Sequence, residues 1–209
     1  MKMENDMKKI KICGITNEKE VEYLNEAKVD FAGFIQFVSK SKRNIETKQA
    51  KALINLLDKS IKSVAVTISP DIEQIEIIQE AGFDYLQIHG SISDEVLEKI
   101  NIPAIKAFNV NDLSEYVRFH NCEKVVGYIF DAQVPGSGKA FDWSVIKNIP
   151  KDEKFAMLAG GLNCENIAQA LKMTNIDGVD TSSGVENDNG IGKSREKIIQ
   201  FAKIVREHQ

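Results

Sequence analysis

The chain has few cysteines and no long hydrophobic run. Its 209 residues include only Cys13, Cys122 and Cys164, an odd number without a close pair, so neither a disulfide framework nor a zinc-binding spacing is indicated. No apolar stretch approaches the roughly 20 residues needed to cross a bilayer. The segment from Met1 to Lys9 is polar and lacks the apolar region of a signal peptide. We therefore expect free thiols, no membrane association and a cytoplasmic protein.

The chain also lacks a surplus of basic residues. Its formal net charge of -4 at pH 7 argues against general nucleic-acid binding, so any anionic ligand must be bound by local groups. With 43% hydrophobic residues, the chain is long enough for one full hydrophobic core and short for two. We expect a single α/β domain over residues 1–209.

Short β-branched or aromatic runs alternate with amphipathic segments. Eight runs predict strands, at residues 10–13, 31–37, 64–68, 85–89, 104–108, 125–131, 155–159 and 178–181. Apolar residues three or four positions apart predict helices at residues 18–27, 47–57, 72–81, 94–100, 165–173 and 194–207, and residues 112–119 are compatible with another. Eight strand–helix pairs favour a closed parallel (β/α)8 TIM barrel, and an open doubly wound sheet is the alternative.

Two of the predicted strands end in glycine and serine. Gly160 and Gly161 follow the seventh strand, and Ser182, Ser183 and Gly184 follow the eighth. Backbone N–H groups in such turns bind phosphate dianions, and (β/α)8 barrels often place a phosphate site after strands seven and eight. Each stretch alone fits an ordinary strand-to-helix turn. Together they predict a phosphorylated small-molecule ligand.

Polar residues at the other strand ends are candidates for catalysis, because the active sites of such barrels lie there. Cys13 ends the first strand, although a cysteine in a strand is commonly a small buried hydrophobe. Asp131 ends the sixth strand, where an aspartate is either a loop cap or an acid–base group. Gln87 and His89 alternate with apolar neighbours, so both are predicted to face the barrel interior, where a lone histidine is more commonly a satisfied core residue.

Two loops carry groups suited to anions. Residues 40–43, Lys-Ser-Lys-Arg, fit a solvated basic loop, but the planar guanidinium of Arg43 also suits bidentate binding of a carboxylate. Residues 135–139 contain the small residues of a mobile lid, and Lys139 within it is a further candidate for an anion contact.

Six segments, in order, resemble the phosphoribosylanthranilate isomerase family: residues 11–16, 40–43, 87–90, 136–139 with 141–143, 158–163 and 178–186. The resemblance spans nearly the whole chain. It implies an Amadori rearrangement in tryptophan biosynthesis, which converts N-(5'-phosphoribosyl)anthranilate to 1-(2-carboxyphenylamino)-1-deoxyribulose 5-phosphate. It also implies that no cofactor and no metal is needed.

The resemblance further implies roles for individual residues. Asp131 is the general acid that protonates the furanose ring oxygen, and Cys13 is the general base that removes the proton from C2'. A thiolate base is scarce at neutral pH unless the ordinary pKa of about 8.5 is lowered. Arg43 holds the anthranilate carboxylate. The remaining substrate contacts are Gln87, His89 and Asp180, with the phosphate held by Gly160, Gly161, Ser182, Ser183 and Gly184.

The second loop departs from the family pattern. Ser39 and Lys42 stand where prolines often flank the Lys-Ser pair, and Gln36 is polar where an apolar residue is expected. Residues 190–194 likewise lack a proline. We therefore expect a differently shaped loop around Arg43.

Three other functions are compatible with parts of the sequence. A different phosphate-binding barrel enzyme, such as a sugar-phosphate epimerase or the tryptophan synthase α subunit, shares the phosphate turns but does not explain Cys13 together with Asp131. A bifunctional isomerase that also acts on the related histidine-pathway substrate is expected to carry two aspartates instead. A non-catalytic phosphate-binding protein would keep the turns and tolerate loss of the Asp131 chemistry. Either a monomer or a homodimer is compatible with the sequence.

Overall fold

The computed structural model describes residues 7–109, 113–131, 153–173 and 176–208. Eight parallel strands follow one another around a closed barrel, and β1 pairs with β8 to complete it. The strands are β1 (Lys9–Cys13), β2 (Phe31–Ile35), β3 (Lys62–Ile68), β4 (Tyr85–His89), β5 (Ala104–Asn109), β6 (Val125–Asp131), β7 (Phe155–Leu158) and β8 (Gly178–Thr181). The predicted closed barrel is confirmed, and the open sheet is wrong.

Seven α-helices in the described ranges connect or follow the strands. They are α1 (Glu18–Ala27), α2 (Thr47–Ile54), α3 (Ile72–Ala81), α4 (Asp94–Glu98), α5 (Tyr116–His120), α6 (Ile167–Met173) and α7 (Arg195–Glu207). A 3-10 turn, Ser183–Val185, follows β8. None of these helices is long and apolar enough to cross a membrane.

Several element ends differ from the sequence prediction. Strand β2 stops at Ile35, two residues early, because Phe37 has a left-handed backbone with φ of 60°. Helices α2 and α4 also end early, and α6 begins at Ile167. The helix considered for residues 112–119 is the short α5. The glycine-rich loop at 135–139 and the segment from residue 141 to 143 lie outside the described residues.

The alternation of side chains along each strand builds two cores. Outward-facing residues such as Ile10 and Ile12 on β1 pack under the helices in the larger cluster. Inward-facing residues such as Val64, Ile105 and Met157 form a second cluster inside the barrel, which also includes Cys13. This inner cluster fills the barrel below its C-terminal end, so the strand-end polar groups lie at the floor of an opening rather than in a pore.

Candidate functional site

A cavity of about 850 Å³ opens where the strands end. Its wall brings together almost all of the predicted site residues: Cys13, Arg43, Gln87, His89, Asp131, Gly160, Gly161, Asp180, Ser182 and Ser183. Gly184, in the same turn as Ser183, is the exception and does not line the cavity. The cavity has the volume typical of small-ligand sites. Because Gln87 and His89 both line this cavity, the prediction that their side chains face the barrel interior is confirmed.

Cys13 lies next to a buried ion pair. On the same face of β1, Lys11 places its Nζ 3.0 Å from each carboxylate oxygen of Asp180 on β8. Burial raises the pKa of the Cys13 thiol, and the positive charges of Lys11 and Lys193 only partly oppose this effect. The thiol form therefore predominates at neutral pH. Burial alone would lower the pKa of Lys11, but Asp180 and Cys13 outweigh it and raise that pKa, so Lys11 stays charged.

Two glycines provide the space in which these groups meet. A Cβ at Gly33 on β2 would lie 3.0 Å from the Cys13 sulfur and 3.1 Å from Lys11 Nζ. A Cβ at Gly14, whose φ is +80°, would lie 2.4 Å from Cδ of Arg43. Because glycine has no side chain, the Cys13 thiol, the Lys11 ammonium and the Arg43 guanidinium can lie close together beside the cavity.

Gln87 and His89 form a polar pair on β4. The side-chain nitrogen of Gln87 lies 2.7 Å from Nε2 of the imidazole. Burial, reinforced by the charges of Lys11 and Lys106, lowers the pKa of His89 to about 4. The ring is therefore neutral at physiological pH, and a neutral imidazole both donates and accepts hydrogen bonds.

Arg43 is held by a carboxylate that the sequence reasoning missed. Its Nε donates to Oε1 of Glu186 at 2.5 Å, and the neighbouring Lys42 donates to Oε2 at 3.0 Å. Lys193 places its Nζ 3.6 Å from Oε1 of the same side chain. The second loop is thus joined by ion pairs to the loop after β8.

The turn after β7 offers backbone donors to the cavity. Gly160 and Gly161 have φ of 92° and 68°, which suits glycine, and in the described ranges their N–H groups donate to no protein acceptor. The turn after β8 is fixed against its neighbours: Ser182 donates its hydroxyl to the Cys13 carbonyl at 2.8 Å and accepts from Lys193 Nζ. A Cβ at Gly184 would lie 1.9 Å from the carbonyl oxygen of Leu162.

Other residues missed by the sequence reasoning also line or support the site. Asn109 ends β5, lines the cavity and pairs in register with Asp131. The strand-end rule that selected Asp131 would have selected it too. Lys106 is buried and donates to the Gly90 carbonyl at 2.8 Å, but no local signal marks a lysine as buried. In the part of the chain that the structure describes, no group of three or more histidine, cysteine, aspartate or glutamate residues is arranged to hold a metal ion.

The family model of N-(5'-phosphoribosyl)anthranilate isomerase matches residues 10–204. The chain belongs to this family. A relative of that name from Thermoanaerobacter sp. (strain X514) is 37% identical over 210 residues, which cover 96% of this chain and 98% of that protein. Another, from Clostridium kluyveri, is 38% identical over 202 residues with the same two coverages.

Solved structures of the family superimpose on the barrel. The phosphoribosylanthranilate isomerase of Thermotoga maritima is 33% identical, with a TM-score of 0.84 over 96% of this chain and all of that one. A family structure in complex with reduced 1-(o-carboxyphenylamino)-1-deoxyribulose 5-phosphate is 31% identical, with a TM-score of 0.82 over the same shares. The family resemblance seen in the sequence is therefore confirmed.

Proposed function

We propose that Cys13 and Asp131 are the base and the acid of an Amadori rearrangement that converts N-(5'-phosphoribosyl)anthranilate to 1-(2-carboxyphenylamino)-1-deoxyribulose 5-phosphate. The activity itself follows from family membership, which makes the chain an isomerase of tryptophan biosynthesis. One observation supports the roles proposed for these residues. Cys13, Asp131, the candidate phosphate-binding turns and Arg43 all line a single cavity.

The substrate is oriented by its two anionic ends. The backbone N–H groups of Gly160 and Gly161, with the turn at Ser182 and Ser183, bind the phosphate, since free backbone donors suit a dianion. Gly184 lies within this turn, packed closely against the Leu162 carbonyl. Arg43, which also lines the cavity, binds the anthranilate carboxylate. The bound relative of the family supports a small phosphorylated ligand of this kind.

The chemistry then needs two proton transfers. Asp131 gives a proton to the furanose ring oxygen, the ring opens, and the anilinic nitrogen lone pair forms the C1'–N double bond of a Schiff base. Cys13 removes the proton from C2', and the C–H electrons move to give an enolamine, which tautomerises to the ketone. Gln87, His89 and Asp180 contact the sugar along this path. No step requires a cofactor or a metal.

Because burial raises the pKa of Cys13, the thiolate must be stabilised where it forms. Lys11 and Lys193 both lower the pKa of the thiol and thereby favour its ionisation. The geometry thus gives the base two nearby cations. If thiol ionisation limits the rate, kcat/KM should increase with pH, and the midpoint of this ascending limb should lie above the ordinary thiol pKa of about 8.5.

We further propose that residues 1–209 form one catalytic domain in the cytoplasm, as a monomer or a homodimer. A dimeric family member from Thermotoga maritima, 31% identical, supports the second form. Light scattering of the purified protein distinguishes the two.

The decisive experiment is turnover of phosphoribosylanthranilate by the purified protein, followed by the loss of its anthranilate fluorescence. Cys13→Ser and Asp131→Asn are each expected to reduce kcat by about 10²- to 10⁴-fold, the usual contribution of a general acid or base. Affinity for inorganic phosphate and the unfolding midpoint should stay close to those of the wild type. Near-normal turnover in either variant would remove that residue from its role.

A further inference from the structure

Three basic side chains converge on one buried carboxylate, that of Glu186 in the loop after β8. They are Lys42 and Arg43 from the loop after β2, and Lys193 from the loop before α7. We propose that Glu186 is a positioning residue that orients the Arg43 guanidinium towards the carboxylate of the substrate. This inference rests on the role proposed above for Arg43.

The contact geometry fits that role. Glu186 engages Arg43 through Nε, on the side of the guanidinium, at 2.5 Å. A guanidinium held in this way still presents its two Nη groups as a planar fork, which is the donor pair that a second carboxylate needs. The aliphatic part of Arg43 lies across Gly14, directly after Cys13. Both ends of the side chain are therefore fixed beside the reacting centre.

The charges around Glu186 favour an anionic ligand. Three cations share the Glu186 carboxylate, so cations outnumber anions in direct contact with this group before substrate arrives. Burial raises the pKa of Glu186, but hydrogen bonds from Arg43 and Lys42 and the charge of Lys193 more than compensate, so its pKa lies below the usual range. Glu186 is thus ionised at neutral pH, and it offsets the mutual repulsion of cations that the substrate later neutralises.

Glu186 is itself well anchored. It forms an isolated antiparallel bridge with Lys193, and the N–H of Ser194 donates to the Val185 carbonyl at 2.8 Å. Lys42 also donates to the Gly190 carbonyl at 2.7 Å, which binds the second loop to the same segment. The segment continues directly from the phosphate turn. Glu186 therefore connects the proposed carboxylate-binding arginine to the proposed phosphate-binding residues through a short, hydrogen-bonded stretch.

The test compares two ligands that differ only in the carboxylate. One is reduced 1-(o-carboxyphenylamino)-1-deoxyribulose 5-phosphate, and the other is the same molecule without the carboxyl group. In Glu186→Gln, which preserves shape but removes charge, we expect the first ligand to bind about tenfold more weakly, the loss of one charged hydrogen bond. Binding of the second should be unchanged. KM for phosphoribosylanthranilate should rise by the same factor, with a smaller change in kcat.

The controls separate positioning from general damage. Glu26→Gln makes the same substitution at an exposed carboxylate paired with Arg195, and it should leave the preference for the carboxylated ligand intact. In an Arg43→Ala background, Glu186→Gln should reduce that preference no further. If Glu186→Gln does not fold, Glu186→Asp keeps the charge, shortens the reach and should show the same selective loss.

Two results would overturn the proposal: an unchanged preference in a folded Glu186 variant, or an equal weakening of both ligands. A preference that survives Arg43→Ala alone would instead refute the role of Arg43 in the proposed function. The failures of the two proposals are thus distinguishable.

Discussion

Lys11 on β1 and Asp180 on β8 form an ion pair across the seam that closes the barrel. The two residues are partners in the strand register, and the ammonium lies 3.0 Å from both carboxylate oxygens. Lys11 is wholly inaccessible to solvent, and Asp180 is 7% exposed. Each charge is therefore tolerated only because the other is present.

Removing one partner of this ion pair should therefore destabilise the folded protein. Lys11→Met leaves the Asp180 carboxylate buried without its cation, so we expect a loss of about 3–5 kcal/mol in the free energy of unfolding, measured with urea. Adding Asp180→Asn should recover part of that loss. Lys62→Met breaks an exposed pair with Asp84 and should cost less than about 1 kcal/mol. Equal losses for the two lysines would contradict the buried-pair interpretation.

His89 should make the protein sensitive to mild acid. Its pKa is about 4 in the folded chain against 6.5 ordinarily, so the unfolded state takes up this proton first as the pH falls. The free energy of unfolding should therefore decrease from pH 6.5 to pH 4, by about 3 kcal/mol at most from this group. Because carboxylates titrate in the same window, the measurement is the difference between wild type and His89→Gln in urea unfolding at pH 7 and pH 4.5. If the free energy of unfolding decreases equally in the two proteins, His89 does not contribute to the acid sensitivity.

The close packing of Gly184 should make it intolerant of any side chain. In Gly184→Ala the new Cβ would meet the backbone of Leu162 at 1.9 Å, so the turn after β8 must shift. We expect a marked loss of affinity for inorganic phosphate and of thermal stability. Gly82→Ala is the matched control, since φ there is +85° but nothing lies within 4 Å of the added atom. It should cost about 1 kcal/mol and leave phosphate affinity unchanged. Wild-type phosphate affinity in Gly184→Ala would exclude a supporting role.

Lys193 should impose an alkaline limit on substrate binding. Burial lowers its pKa to about 8, despite the opposing charge of Glu186. Above that pH the ammonium loses its proton and the anion-binding corner loses positive charge, so KM should rise between pH 8 and pH 9.5. Lys193→Met should have a raised KM at pH 7 and a flatter profile. The exposed Lys48→Met should retain the wild-type profile, and a flat wild-type profile would count against this role.

The sequence predicted the barrel well because period-two alternation and β-branched runs are local signals. It also located the cavity residues, since parallel strands end at one edge and strand ends can be read from the chain. The ion pairs could not be found in this way. The contact between Arg43 and Glu186 joins positions 143 residues apart, and it exists only once the barrel has closed.

The sequence also did not indicate how the polar side chain of Gln36 is accommodated. Gln36 is fully enclosed because its side-chain nitrogen donates to the Ile45 carbonyl and its oxygen accepts from Thr47. These partners come from the loop and the helix that follow, so they could not be inferred from the residue type alone. The early end of β2 has a similar origin, in the left-handed conformation of Phe37.

The pairing of β1 with β8 has a consequence for synthesis on the ribosome. Cys13 emerges early, but Thr181, the strand partner of the preceding Ile12, and Ser182, which donates to the Cys13 carbonyl, are made only after seven other strands. Until then β1 presents an unpaired edge, a surface prone to association with other chains. The nascent protein thus carries its proposed base from the beginning of translation and acquires the turn that completes the site almost at its end.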